Sequence, residues 1–347
     1  MFPRLLRSQI MLGIVVSAFF ALPAWAAMHT SSLPQRVLQL NGSGKMLDLD
    51  DMIYAPSMHR VLVPAAQSGA LVLINPATQH MTHWNHVVPG GSGAERDDAG
   101  TTSAAVGSGF VFVSDHKDQE LVALNPQTHQ PVARARLASG PDYVRYVATL
   151  KQVWVTEPGA SQIERFQVRG GAHPMLSRVG AVAVNGGPES LVIDARRGMA
   201  YTNQWKSHTL EISLHHPALK ASWANTCRGS RGLALDAADG VLLVGCKEGK
   251  VVALDPASDG KILGHAKVGA GVDIIAWNPV LRHVYAPGAR SATLSVLTMD
   301  PRGRLKRVAT APAAPHAHCV TTDGRRHVYV CDPAAGAVIS YTDHVRP

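Results

Sequence analysis

Aromatic side chains are scarce, at 5% of the 347 residues, and there are only four cysteines. A core built on large rings is excluded, so aliphatic side chains on many short elements have to fill the interior. Beyond Leu22 there is no apolar run long enough to cross a membrane as a helix. Nor does any later stretch hold the 3.6-residue period of an amphipathic helix, which leaves almost no helix to expect. Gly-x-Ser-x-Gly, His-Glu-x-x-His and Cys-x-x-Cys-His are all missing, so serine-hydrolase, zincin and c-type haem chemistry have no local support. Gly90-Gly-Ser-Gly93 is not followed by the Gly-Lys-Ser/Thr of a phosphate loop. The formal charge of +8 is scattered, and charge of that kind does not point to nucleic acid.

What is plentiful is glycine (31) and proline (22), between short apolar runs. In Ser230–Ser258 three such runs, Gly232–Leu235, Val241–Val244 and Val251–Leu254, are separated by Asp236-Ala-Ala-Asp-Gly240 and Lys247-Glu-Gly249. Shifting this window by about 42 residues, the length of a four-stranded propeller blade, lays Asp236 on Asp194 upstream and on Asn278 downstream. The same frame places Leu62, Phe112, Trp154, Tyr201, Leu243, Tyr285 and Tyr329 at one position, marking about seven units. Several units end in one phrase, Ile74-Asn-Pro-Ala-Thr78, Leu124-Asn-Pro-Gln-Thr128 and Leu254-Asp-Pro-Ala-Ser258. Proline stops the strand there, and the Asn or Asp side chain can cap the turn.

The expected fold is therefore all-β, a seven-bladed β-propeller in a single domain, 27–347, with blades over 47–347. The last unit has three strands and no fourth. The orphan strand Arg36–Leu40, within 34–41, is expected to complete it and remove an exposed edge. Ahead of it, Arg4 and Arg7, the apolar run Ile10–Leu22 and the small-x-small site Ala24-Trp-Ala26 read as a cleaved signal peptide, 1–26. Export, to the periplasm if the source is Gram-negative, favours disulfides, and the blade alignment pairs Cys227 with Cys246 and Cys319 with Cys331. The alternative for the second pair is a thiolate–imidazole metal site with His316 and His318.

The repeats resemble the YVTN-type, YncE-like seven-bladed propellers, the likeness being carried by Val328-Tyr-Val330, Val284-Tyr-Ala286 and the Asn-Pro and Asp-Pro phrases. That resemblance implies the fold over nearly all of the chain after residue 46. It leaves the activity open, since similar propellers include lactonases, streptogramin lyases, quinoprotein dehydrogenases and plain binding scaffolds.

In the blade alignment Asp50, Asp142, Glu189, Arg231 and Asp273 share one position at the channel mouth, with Asp98 close by and His316 and His318 flanking it in the seventh unit. Two carboxylates about 7 Å apart repel by about 2 kcal/mol at an effective dielectric near 20. Such a ring needs a cation, a raised pKa or Arg231 as partner. The expected function is a monomeric binding scaffold, taking a small molecule or an envelope protein through this acidic face. The alternative is a metal-assisted lactonase or lyase. It would hold Ca or Mg on Asp50, Asp142, Glu189 and Asp273, and His316 or His318 would move the proton. Ala253–Lys261 also resembles the quinoprotein-dehydrogenase repeat, but Gly264 stands where that repeat closes with tryptophan. On the opposite face, turns bearing Arg60, Lys151, Arg196, Arg197, Arg282, Arg325 and Arg326 are expected to form a basic surface for weak contact with anionic polymer, lipid or nucleic acid.

Overall fold

The computed structural model describes residues 33–91, 99–171 and 174–346. The expected signal segment, Asp98 and most of the 89–98 connection lie outside the described residues. Among the described residues, 28 strands, numbered in chain order, form seven four-stranded antiparallel sheets, beside the two short 3-10 turns Pro158–Ala160 and Pro256–Ser258. Among the described residues no helix is long and apolar enough to cross a membrane.

The fifth blade shows how the repeat folds. Its strands are β18 (Ser230–Asp236), β19 (Val241–Cys246), β20 (Lys250–Asp255) and β21 (Lys261–Lys267), hydrogen-bonded in that order. Asp236 ends the first strand because its Oδ1 accepts from the amides of Ala238 (3.1 Å) and Asp239 (3.4 Å), closing an Asx turn. Asn278 does the same for Val280 and Leu281, and Asp323 for Arg325 and His327. The Asn-Pro and Asp-Pro phrases work alike, with Asn75, Asn125 and Asp255 accepting from the amide two residues on. The repeated position on the second strands, from Leu62 to Tyr329, is buried in every blade.

The first strands are β2 (Ile53–Ala55), β6 (Ala104–Gly107), β10 (Val144–Val147), β14 (Glu189–Asp194), β18, β22 (Ala276–Asn278) and β26 (Val320–Thr322). Each packs against the next, and β26 returns to β2, so they line the centre of a closed ring. The seventh sheet is completed as expected. Strand β1 (Gln35–Gln39) pairs antiparallel with β28 (Ala337–Thr342), outside β27 (His327–Asp332), with Val37 opposite Ile339. Both cysteine pairs are disulfides, Cys227–Cys246 and Cys319–Cys331, each with Cα atoms under 6 Å apart, at 5.3 and 5.5 Å. At Gly264 a Cβ would meet the Gly303 carbonyl at 2.9 Å. A tryptophan cannot replace it there, which sets this repeat apart from the quinoprotein pattern.

After β28 the chain turns back over the sixth blade. Asp343, fully buried, accepts at Oδ2 from the Tyr285 hydroxyl (2.7 Å) and lies 2.8 Å from His283 Nδ1. Burial alone would raise its pKa, but these bonds and the Val345 amide hold the carboxyl below its ordinary value. A depressed pKa stabilises the fold above the unfolded-state value and ceases to do so as pH falls through the folded-state value. Asp343→Ala is therefore expected to cost about 3 kcal/mol at neutral pH. The gap from wild type should close below about pH 4. Urea denaturation across that range checks this, and a gap independent of pH would show that the carboxylate charge is not what stabilises.

Candidate functional site

The approach of neighbouring first strands sets the site. The Gly232 amide donates to the Asp273 carbonyl (2.8 Å), and the Ile274 amide to that of His318 (3.0 Å), so blades five, six and seven are tied together at the mouth. Gly232 has to be glycine, because a Cβ there would meet the Asp273 carbonyl at 2.5 Å. The result is a funnel of about 990 Å³ whose wall brings together Asp50, Asp142, Glu189, Arg231, Asp273, His316 and His318, as the blade alignment expects. Of the expected site residues only Asp98 is outside the described set. Asp48, Lys247, Arg290 and Trp205 join the wall, and its acids outnumber its lysines and arginines.

The crowding is visible in the titration of Glu189. Burial first, then Asp273, push its carboxyl up to about 7, against the opposing pull of Arg231 and the Trp205 indole. Arg231 Nη1 is 3.5 Å from Glu189 Oε2, and Trp205 Nε1 donates to the same oxygen at 2.6 Å. His318 moves in the opposite sense to its burial. Desolvation disfavours its cation, but Asp50, the His316 carbonyl, Asp273 and Asp48 together raise its pKa.

The first four blades are joined by residues that the blade alignment does not single out. Arg145 on β10 of the third blade reaches Asp51 of the first, with Nη1 to Oδ2 at 2.5 Å and Nη2 to Oδ1 at 3.0 Å. Its Nε donates to the Leu191 carbonyl of the fourth blade (3.0 Å), and Ser103 Oγ of the second donates to Asp51 (2.6 Å). The Arg145 guanidinium also lies 5.1 Å from the centre of the Tyr143 ring. Burial, reinforced by Asp50, Asp142, Glu189 and Asp273, raises the Tyr143 pKa well above its ordinary value, so the ring stays a neutral phenol. Tyr143 faces both the funnel and a smaller cavity of about 440 Å³ on the far side, lined by Tyr54, Leu235, Ile275 and Trp277 among others. The sequence signal was available in Asp142-Tyr-Val-Arg145, an arginine on an otherwise inward-facing strand.

The repeat frame also sets Asp115, Glu157, Gln204, Lys247 and Asp332 at the ends of the second strands, where the channel face is expected; of these only Lys247 lines the funnel. Asp115 and Glu157 are fully buried instead, and burial followed by the neighbouring Glu164 pushes Glu157 up to about 8. Among the described residues, the metal-ligating groups whose ligand atoms come within 4.8 Å of one another are His318, Cys319 and Cys331; no three of the ring carboxylates do so. On the opposite face, five of the expected cations are engaged locally. Arg60 donates to the His59 carbonyl, Arg196 to the Ala237 carbonyl, Arg197 to Asp194, Arg282 to Asp239 and Arg326 to the Asp343 carbonyl.

No protein-family sequence model matches the chain, and no curated protein matches it. Solved structures do. A chain of the mitotic checkpoint complex superposes with a TM-score of 0.72 at 10% identity, covering 97% of this chain and 99% of that one. A chain of Kuenenia stuttgartiensis hydrazine synthase gives 0.69 at 13%, covering 88% and 99%. U3-55K gives 0.69 at 10%, covering 89% and 98%. Identities this low establish the propeller fold alone.

A raised carboxyl pKa makes the folded state bind a proton that the unfolded chain has released. Stability contributed by the Glu189 proton is therefore lost as pH rises from its ordinary 4.5 through about 7. Glu189→Gln is expected to remove that fall, so its denaturation midpoint relative to wild type rises between about pH 5 and about pH 8. Parallel pH profiles for the two proteins would place the proton elsewhere.

Proposed function

We propose that this propeller is a binding scaffold whose acidic funnel receives a cationic group, carried by a small organic cation or by a basic side chain of a partner protein. The observation that carries the reading is the acidic funnel itself. Five carboxylates, Asp48, Asp50, Asp142, Glu189 and Asp273, line one cavity together with Tyr143. Such a concave wall, on which acids outnumber lysines and arginines, focuses its field on the mouth and favours positive charge there. The two disulfides support export, and a periplasmic setting in a Gram-negative source.

The metal-assisted lactonase or lyase is the second reading, favoured by His318 beside the carboxylates. It asks the ring acids to move together around Ca or Mg, since they do not converge as ligands as they stand. Docking of the rear face on anionic polymer, lipid or nucleic acid would fall mainly to Lys151 and Arg325, the other turn cations being engaged locally.

Calorimetric titration with spermidine, citrate, Ca and Mg separates these readings. Spermidine is expected to bind saturably, more weakly at high salt, and by more than about tenfold less well in Asp142→Asn/Asp273→Asn. Citrate should not compete for the funnel. Absence of spermidine binding, or a variant that binds it equally well, would refute the scaffold reading. Stoichiometric Ca or Mg abolished in the variant would replace it with the metal-dependent one.

A further inference from the structure

Beside the funnel, the seventh blade holds a histidine against a disulfide. We propose that Cys319, Cys331 and His318 form a redox-gated site for a thiophilic divalent metal such as zinc, closed while the cysteines are bonded and opened when a dithiol or phosphine reduces them.

Three observations carry this. First, a ring nitrogen of His318 and the two sulfurs already lie within 4.8 Å of one another. Two thiolates, each about 2.3 Å from a tetrahedral zinc, are about 3.8 Å apart, so movement on the order of 1 Å completes the set. The cysteines need no backbone change to remain paired: their Cα atoms are 5.5 Å apart, and the Cys331 amide donates to the Cys319 carbonyl at 3.1 Å.

Second, His318 is oriented as a ligand. Its Nδ1 lies 2.8 Å from the His316 carbonyl oxygen, which can only accept, so Nδ1 carries a proton and, once a metal displaces any proton on Nε2, that nitrogen has the lone pair to donate. Metal-binding histidines are oriented in this way by a backbone carbonyl on the other ring nitrogen.

Third, the position supplies access and attraction. His318 lines the funnel together with Asp48, Asp50 and Asp273, so a cation entering the mouth is drawn toward the cysteines beside it. The fourth coordination position would face the funnel and take water. The other disulfide, Cys227–Cys246, belongs to no such group among the described residues and serves as an internal control.

The chemistry balances in two steps. A dithiol passes two electrons and two protons to the cystine: the Cys319–Cys331 sulfur–sulfur bond breaks, two thiols form, and the dithiol becomes a cyclic disulfide. The divalent ion then displaces both thiol protons, releasing them as it binds. This proposal uses the acidic wall of the funnel for access but does not depend on what the funnel binds when the disulfide is closed.

The test is Co(II) titration of the whole protein, oxidised and after anaerobic treatment with a phosphine, with peptide mapping of the thiols. Only the reduced wild type is expected to bind one equivalent, with a thiolate-to-cobalt charge-transfer band, and zinc should displace it. His318→Ala should lose more than about tenfold in affinity. Cys319→Ser/Cys331→Ser should show no charge-transfer band while keeping Cys227–Cys246. If the Ser variant does not fold, His318→Ala still decides. Failure of the folded protein to reduce at Cys319–Cys331, equal binding by oxidised protein, or equal binding by His318→Ala would each overturn the proposal. Spermidine binding by the oxidised protein reads the funnel separately, so either proposal can fail without the other.

Discussion

Everything in this molecule depends on closing a circle of sheets. A four-stranded blade buries its two faces against its neighbours, so seven blades in a row would leave the first and last with bare apolar faces. Closure removes both at once. It is made by pairing β1 with β28, which ties the N-terminal strand to the last blade, and by the return of the chain after β28 to bury Asp343 between His283 and Tyr285 of the sixth. Both devices use residues distant in sequence: the first links the N-terminal segment to the last blade, and the second locks that blade to the sixth through a buried carboxylate that would otherwise be unpaired.

Closure has an electrostatic consequence. Equivalent positions on seven first strands are brought to one axis, so any residue type that recurs there is concentrated. Acids recur, and the structure answers in several ways. Glu189 takes up a proton near neutral pH, Arg231 and Trp205 share its oxygen, and His318 is turned toward cation. Asp51, one residue from the funnel acid Asp50, is kept out of the funnel population altogether by a bidentate bond to Arg145. One acid is thus spent on joining blades while its neighbours remain on the wall. The chemical character of the mouth follows from that division.

The fold was legible because its determinants are local and repeated. Asp236, Asn278 and the Asn-Pro phrases cap turns by bonds to amides two or three residues away, and a spacing visible in one blade recurs in the next. The closing strand and both cysteine pairs followed from the same frame. Depth was harder to read than position. Asp115 and Glu157 align with Lys247 but sink into their blades, because side-chain burial depends on the neighbouring blade and not on the strand's own pattern. Arg145 was missed for a related reason: its partner, Asp51, is 94 residues away, and no periodicity within one repeat relates them.

The division between legible and illegible also marks where specificity resides. On the rear face blades four to seven are alike: Asx turns end the first strands, and arginines there bond to carbonyls and carboxylates of the turns themselves. At the funnel mouth they differ. Glutamate, arginine and aspartate follow one another at the aligned position in blades four to six, and the seventh offers two histidines beside a disulfide. Repetition serves the ring, since each blade must present the same faces to its neighbours. The mouth is free of that requirement, because side chains there meet across the axis and not between sheets. A ligand can therefore be selected by the departures from the repeat without disturbing the packing that the repeat secures.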